Sequence, residues 1–258
     1  MCGIAGLIHR GKSSDVGAEL TSMLQALKHR GPDSTGFALY GNPTENEHVI
    51  RLKVAEQEDL NSGFQIHDEI KARQEEVDQR MNQLGVNVQI KDSATEYACR
   101  YSFNFDGDIK RLADYLEDIP GVEILSIGRG LELIKDLGDA ETVSSQYGLN
   151  GFDGTHAIGH TRMATESDVD IRSAHPYWAY PFNDISVVHN GQLTNYWGYR
   201  REMERRGHRF VSKCDSELIA VYIADRIDQG DDLESAMSRS IDELDGVLNG
   251  DACANQEN

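Results

Sequence analysis

The strongest constraint on the fold lies at the start of the chain, where a small, glycine-rich apolar run follows Met1 directly. Residues 2–8 have the character of a strand, and the glycines at positions 3 and 6 let another backbone or a ligand approach closely. A strand of this kind holds its first residue rigidly. The sequence therefore predicts that Cys2 lies at the end of a sheet.

The chain divides into two ends rich in glycine, histidine and aromatic residues and a more polar middle. The two ends, residues 1–55 and 151–248, are predicted to form one discontinuous domain. The middle, residues 56–150, is predicted to form an inserted βαβα subdomain. The last residues, 249–258, are expected to be a polar, frayed tail.

Hydrophobic periodicity and turn residues predict the individual elements. The first end is expected to contain a strand at 2–8, a helix at 15–28 and strands at 36–40 and 48–54. The insert is expected to contain helices at 68–83, 109–116 and 131–137 and strands at 86–90, 96–105 and 122–127. The second end is expected to contain a strand at 185–189 and helices at 196–206, 216–227 and 233–244.

Charge and cysteine content exclude several functions. The chain has 25 Lys and Arg against 44 Asp and Glu, a net charge of −19, which argues against nucleic acid and anionic membranes as partners. No apolar run approaches the roughly 20 residues of a membrane helix, and no signal peptide is evident, so a cytoplasmic location is expected. The four cysteines show no CxxC spacing, so Cys2 has to be explained as a thiol.

Cys2 is the first candidate for chemistry. Removal of Met1 would leave a thiol and a free α-amine on one residue, and such an amine titrates near pH 8, at about 7.7–8.0. It can accept the thiol proton and so generate the nucleophilic thiolate without a histidine. A cysteine in second position is a weak signal alone, and the glycine-rich strand behind it strengthens the signal.

A second candidate is Arg162, in the segment GHTRMAT at 159–165. A lone arginine on an apolar strand is usually an ion pair, but it can also clamp a carboxylate with two hydrogen bonds. His156 and His160 are four residues apart, as in a zinc pair on a helix. Their β-like surroundings argue against a helix, so no metal site is predicted.

Two further segments each allow a structural and a functional interpretation. Asn190-Gly191 follows an apolar strand and forms either a simple turn or an oxyanion hole, made by the asparagine amide and the glycine N–H. Asp215 precedes a helix. Asp215 or Ser216 would then cap that helix, or Asp215 would hold an ammonium group.

Six segments in this order resemble the glutaminase domain of class II glutamine amidotransferases, which are N-terminal-nucleophile hydrolases. They are MCGIAG at 1–6, HRGPDSTG at 29–36, GHTRMAT at 159–165, AHPY at 174–177, HNGQLTN at 189–195 and CDSEL at 214–218. The resemblance covers roughly residues 1–45 and 155–230. It implies an α+β fold with four layers, an αββα sandwich.

The resemblance also assigns roles to individual residues. Cys2 would attack the side-chain amide of glutamine, with its own amine as the base, and Asn190 and Gly191 would stabilise the oxyanion. Arg162 and Thr165 would bind the α-carboxylate of glutamine, and Asp215 its α-ammonium. Arg30 would support the site.

The length of the insert and the segment HPYWAYPFND at 175–184 look most like the separately encoded glutaminase subunits of glutamate-synthase-like enzymes, including the N-methylglutamate synthase type. The resemblance therefore implies that ammonia passes to a partner subunit, which would hold FMN and an iron–sulfur cluster. No cofactor or metal is expected in this chain.

Family domains continue with further core strands, so either a truncated C-terminus or a sheet completed by a partner is expected after residue 248. Three alternatives stay open: a non-catalytic glutamine-binding or scaffolding subunit, an amidophosphoribosyltransferase-like glutaminase, and an amidohydrolase related to penicillin acylase. The last would not need the pair Arg162 and Asp215.

Overall fold

The computed structural model describes residues 2–43, 47–61, 63, 65–163, 171–247 and 250–254. Within them the chain forms helices and mainly antiparallel strands. The strands are β1 (Gly3–Ile8), β2 (Ser14–Asp15), β3 (Ser34–Gly41), β4 (Glu47–Lys53), β5 (Asn87–Asp92), β6 (Ala98–Asn104), β7 (Glu123–Gly128), β8 (Leu131–Leu137), β9 (Asp153–Arg162), β10 (Tyr177–Trp178), β11 (Ile185–His189), β12 (Gln192–Leu193), β13 (Gly246–Val247) and β14 (Gly250–Ala254). The helices are α1 (Val16–Ala26), α2 (Gln65–Gln83), α3 (Ile109–Glu117), α4 (Ala140–Tyr147), α5 (Tyr196–Arg205), α6 (Glu217–Asp228) and α7 (Leu233–Glu243).

The first sheet has the strand order β1-β9-β3-β8, with the short strand β2 also paired to β9. Successive side chains on its strands point to opposite faces of the sheet, and both faces are buried. Phe37 and Leu39 face the core that contains α1, whereas Ala38 and Tyr40 belong to a separate cluster with Val188 of β11. Helices α1 and α4 therefore cover one face of this sheet, and β11 covers the other.

The second sheet has the order β10-β11-β14 and stacks on the first. The hydroxyl groups of Tyr40 on β3 and Ser186 on β11 form a buried hydrogen bond of 2.7 Å between the sheets. Residues of α6 pack with Ile185 and Val187 in the core on the outer side of the second sheet. The layers thus follow the order helix, sheet, sheet, helix, which confirms the predicted αββα sandwich.

Gly36 of β3 lies directly against the backbone of the segment that leads into β10. A Cβ atom at this position would be 1.9 Å from the carbonyl oxygen of His175, which is backbone and cannot move aside cheaply. We expect Gly36→Ala to lower the free energy of unfolding by about 1–3 kcal/mol, the usual cost of overpacking. Urea unfolding measures this. The matched control is Gly6→Ala on β1, whose Cβ would meet a side-chain methyl of Ile158 at 3.3 Å. Equal unfolding midpoints for the two variants would contradict the expectation.

A third sheet, the insert sheet, has the order β5-β6-β4-β7, and α2 and α3 cover one of its faces. The polar helix α2 buries only a thin apolar stripe: Ile66, Ile70, Val77 and Met81. These residues belong to the same hydrophobic core as Leu20 and Leu24 of α1. The insert sheet is therefore packed continuously against the main domain.

The pairing of strands places the limits of the insert differently from the sequence prediction. Strand β4, predicted within the main domain, pairs with β6 and β7 of the insert sheet. Strand β8, predicted within the insert, pairs with β3 of the first sheet. By sheet membership, the insert therefore runs from β4 to β7.

The predicted helix at 131–137 is wrong, because these residues form β8. Leucines at 131, 133 and 137 and charged residues between them left the period ambiguous between helix and strand. All residues from Leu131 to Asp136 are buried, since β8 packs between β3 and the insert sheet. Burial on both faces removes the alternation that would have marked a strand.

Two buried carboxylates on β8 bind the insert sheet to the first sheet. Glu132 accepts hydrogen bonds from Arg51 of β4 and Arg100 of β6. Burial alone would raise the pKa of its carboxyl, but the two guanidinium groups together lower that pKa below its ordinary value. Asp136 is fully buried and lies 3.4 Å from the ammonium group of Lys53. These charges join the two sheets at their common boundary.

Residues 250–254 form a strand rather than the expected polar tail. Strand β14 pairs antiparallel with all five residues of β11, and Gly250 lies opposite His189. Backbone pairing of this kind needs no apolar side chains, so composition gave no sign of it. The second sheet therefore takes this strand from the chain itself, and no partner has to supply it.

Across the residues described above, none of the helices combines the length and apolar character needed to cross a bilayer.

Candidate active site

Cys2 directly precedes β1 and is half-buried. The next residue, Gly3, pairs with Thr161 of β9, and Arg162 follows Thr161 at the end of that strand. Cys2 and Arg162 therefore lie at the same end of the first sheet. A Cβ on Gly3 would lie 2.9 Å from the hydroxyl of Thr161, which explains why a glycine follows the thiol.

The turn at 29–34 packs against the backbone of Arg162. A Cβ on Gly31 would be 2.5 Å from the carbonyl carbon of Arg162, and the N–H of Asp33 donates to the carbonyl oxygen of Arg162 at 3.1 Å. Arg30 ends a short 3₁₀ turn immediately before Gly31. Arg30 and Arg162 are thus brought to the same end of the sheet.

Asn190 reaches Cys2 directly. Its side-chain Nδ2 donates a hydrogen bond of 3.0 Å to the backbone carbonyl oxygen of Cys2. The preceding strand β11 pairs with β10 and β14, whereas β12 after Gly191 pairs with β13. Asn190 and Gly191 therefore do not form a hairpin turn, and the asparagine amide lies against the backbone of the residue that carries the thiol.

Asp215 is bound to the same loop. Its Oδ2 accepts the backbone N–H of Leu193 at 2.7 Å. Neither Asp215 nor Ser216 caps α6 through its side chain, so the capping-box interpretation is wrong. The structure thus connects Asp215 to the segment that carries Asn190. Thr165 lies outside the described residues.

Three buried histidines that the sequence analysis did not place in the site lie behind it. The ring of His160 on β9 stacks on the ring of His175, with centroids 4.4 Å apart. Nδ1 of His175 accepts the N–H of His189, and Nδ1 of His189 forms a hydrogen bond of 2.7 Å with the hydroxyl of Ser216. The segments GHTRMAT, AHPY, HNGQLTN and CDSEL contain these residues. Sequence alone did not show that they touch.

His156 and His160 lie on strand β9 and not on a helix, where residues four apart could share a zinc ion. His156 stacks on Tyr40, whereas His160 stacks on His175. In the described part of the chain, no group of three or more His, Cys, Asp and Glu side chains is arranged to hold a metal. The histidines therefore belong to the packing between the sheets.

Burial of His160 makes folding sensitive to acid. Loss of hydration, followed by the nearby charges of Arg162 and His189, lowers the pKa of His160 to about 3. The unfolded chain binds a proton near pH 6.5 that the folded chain excludes, so stability is complete above that pH and falls below it. We expect a loss of about 1.4 kcal/mol per pH unit from this group between pH 6.5 and 3.

Urea unfolding at pH 7, 6 and 5 measures this effect by comparing the protein with its His160→Asn variant. The variant should be less stable at pH 7, but its stability should fall less steeply with acid. Parallel slopes for the two proteins would show that His160 does not exclude its proton.

Comparison of the sequence with known proteins identifies related chains. A family model described as a glutamine amidotransferase domain matches residues 160–247. A Methanothermobacter thermautotrophicus protein that carries the name glutamine amidotransferase is 39% identical over 251 residues, which cover 95% of this chain and 79% of that protein. The glutamine amidotransferase-like protein GlxB of Rhizobium meliloti is 31% identical over 250 residues, or 96% of this chain and 77% of its own.

Among solved structures, the allosteric regulatory enzyme of purine biosynthesis superimposes with a TM-score of 0.55 over 98% of this chain. The sequences are 15% identical, so this similarity concerns the fold alone. The present chain spans 35% of the length of that protein.

Proposed function

The chain belongs to the class II glutamine amidotransferases, and we propose that it hydrolyses glutamine at Cys2 and passes the ammonia to a glutamate-synthase-like partner subunit. The observation that carries the proposal is the 3.0 Å hydrogen bond from the Asn190 amide to the backbone of Cys2. It joins a nucleophile from the start of the chain to an oxyanion donor nearly 190 positions later.

The positions of the charges fit a free α-amino acid. Arg162 lies at the same sheet end as Cys2 and would clamp the α-carboxylate, with Thr165 and Arg30 in support. Asp215 is held to the oxyanion loop through the N–H of Leu193 and would bind the α-ammonium. A simple N-acyl substrate would use neither charge, which favours glutamine over the substrates of penicillin acylase relatives.

In the proposed reaction, Met1 is removed and the α-amine of Cys2 takes the proton of its thiol. The thiolate attacks the side-chain amide carbon of glutamine, and the Asn190 amide and the Gly191 N–H stabilise the oxyanion. The amine then gives its proton to the leaving nitrogen. The C–N bond breaks, and ammonia and a thioester form. Water, activated by the same amine, hydrolyses the thioester to glutamate and regenerates the thiol.

Ammonia is useful to an acceptor only while it is unprotonated, so the proposal includes a partner that receives it directly. The insert and the HPYWAYPFND segment support a glutamate-synthase-like subunit in this role. That partner would hold FMN and an iron–sulfur cluster, and this chain would hold neither.

The decisive experiment is an intact-mass spectrum before and after treatment with an electrophilic diazoketone analogue of glutamine. We expect loss of the Met1 mass and a single adduct, which excess glutamine prevents. The Cys99→Ala variant is the matched control, because Cys99 is a buried thiol of the insert sheet, and it should label as fully as the parent.

A processed chain that binds glutamine but forms no adduct would overturn the hydrolytic proposal. It would favour a glutamine-binding or scaffolding subunit instead. Labelling that persists in Cys2→Ala would place the nucleophile elsewhere.

A further inference from the structure

The loop that carries Asn190 is anchored from behind by His175. The backbone N–H of His189 donates to Nδ1 of His175 at 3.1 Å, in a buried position. A backbone amide can only donate, so Nδ1 must be an unprotonated acceptor. The imidazole of His175 is then neutral and carries its proton on Nε2.

The ring of His175 is held on all sides. Its Nε2 faces the thiol of Cys214 at 3.9 Å, which is the partner that the remaining proton needs. One ring face stacks on His160, and Tyr177 approaches edge-on at a centroid distance of 4.9 Å. Only 5% of the residue is exposed. The acceptor at Nδ1 therefore has a fixed position.

The same hydrogen bonds connect the two segments that would contact opposite ends of glutamine. Asn190 would contact the side-chain amide, and Asp215 the α-ammonium group. His189 directly precedes Asn190, and Ser216 directly follows Asp215. The 2.7 Å hydrogen bond between His189 and Ser216 fixes the spacing of the two segments. A second hydrogen bond, from the N–H of Leu193 to Asp215, connects the same two segments.

We propose that His175 is a positioning residue for glutamine hydrolysis: as a neutral acceptor, it holds the backbone of His189 so that the Asn190 amide points at Cys2. This inference rests on the proposed function. It assigns no contact with substrate to His175, which acts through the main chain of its neighbour.

The surroundings favour the neutral form that this role requires. The groups around His175 are His160 and Arg162 on β9, His189 on β11, Lys135 on β8, the thiol of Cys214 and the phenol of Tyr177. Loss of hydration, and after it the neighbouring basic groups, of which Lys135 and Arg162 are cations, hold the pKa of His175 well below its usual range. The acceptor at Nδ1 therefore persists throughout the pH range in which the Cys2 amine titrates.

Steady-state kinetics of two variants tests the role. His175→Leu removes the acceptor, and we expect kcat to fall about 100-fold with KM changed less than threefold, because a small displacement of the oxyanion donor acts on the transition state. His175→Asn places an oxygen near the position of Nδ1 and should recover most of kcat. The control is His156→Leu, a histidine of the same inter-sheet layer outside this network, which should keep the parent kcat.

An equal loss of kcat in the Leu and Asn variants, or a raised KM with unchanged kcat, would overturn the positioning role. Nitrogen NMR of the unmodified protein provides a test that needs no folded variant and no turnover. We expect a neutral His175 with its proton on Nε2 from pH 6 to 8. A proton on Nδ1 would overturn the inference. If the parent protein has the proton on Nε2 but no glutaminase activity, the proposed function is overturned and the hydrogen bond remains.

Discussion

Replacing Cys2 with alanine is expected to reduce the release of glutamate from glutamine by about 10³-fold or more, the scale of loss seen when a nucleophile is removed. The physical reason is that the variant keeps Asn190, Arg162 and Asp215 but loses the thiol that the proposed reaction needs to form a thioester. Glutamine binding, measured by titration calorimetry, should therefore persist while turnover is lost.

The control for this experiment is again Cys99→Ala, which removes a thiol from β6 and leaves the sheet end untouched. Its activity should match that of the parent. Turnover that survives in Cys2→Ala would contradict the mechanism, and so would loss of glutamine binding together with turnover, since the thiol is assigned no role in holding the substrate.

The second large effect concerns stability. Asp136 is fully buried and accepts hydrogen bonds from the hydroxyls of Tyr97 and Tyr147 at 2.8 and 2.6 Å, besides its ion pair with Lys53. Lys53 is only 1% exposed. Asp136→Asn keeps the shape of the side chain but removes the fully buried one of the two carboxylates beside the ammonium group, the other being Glu56 at 3.3 Å. We expect the free energy of unfolding to fall by about 3–5 kcal/mol, as when one member of a buried pair is removed.

Urea unfolding provides the measurement, and Glu75→Gln provides a matched control. Glu75 pairs with Lys71 on the surface of α2 at 4.0 Å, with both side chains at least 70% exposed. Such a pair contributes about 0–1 kcal/mol, so the control should unfold close to the parent. Equal unfolding midpoints for Asp136→Asn and the control would show that the buried charge of Lys53 is compensated by another group, such as Glu56.

Most elements could be predicted because their periodicity is local. The helix at 15–28 shows Leu20 and Leu24 one turn apart, and the structure buries both. The strands near 36–40 and 48–54 are also confirmed. Periodicity failed for β8, whose neighbours cover both faces, and for the membership of β4 and β8 in their sheets. Sheet membership depends on contacts between segments about 45 to 100 residues apart, which no local pattern contains.

The candidate site also contains residues that could be predicted from the sequence and residues that could not. Cys2, Arg162, Asn190 and Asp215 could be selected because each lies in a short segment with a recognisable chemical pattern. The structure places Cys2, Arg162 and Asn190 at one sheet end, and it connects Asp215 to their loop. His175 and Ser216 could not be selected as supports, because their value lies in touching His189 from two other segments. Only the folded chain brings these three segments into contact.

The pairing of β14 with β11 has a consequence for how the enzyme is made. Cys2 is synthesised long before the strand that pairs with His189, next to the proposed oxyanion donor Asn190, because that strand is formed by residues 250–254. A nascent chain therefore carries its thiol through nearly all of synthesis without a completed site around it. A chain that ends before residue 250 would lack the strand that pairs with β11, so we expect such a chain to hydrolyse glutamine more slowly than the chain of 258 residues.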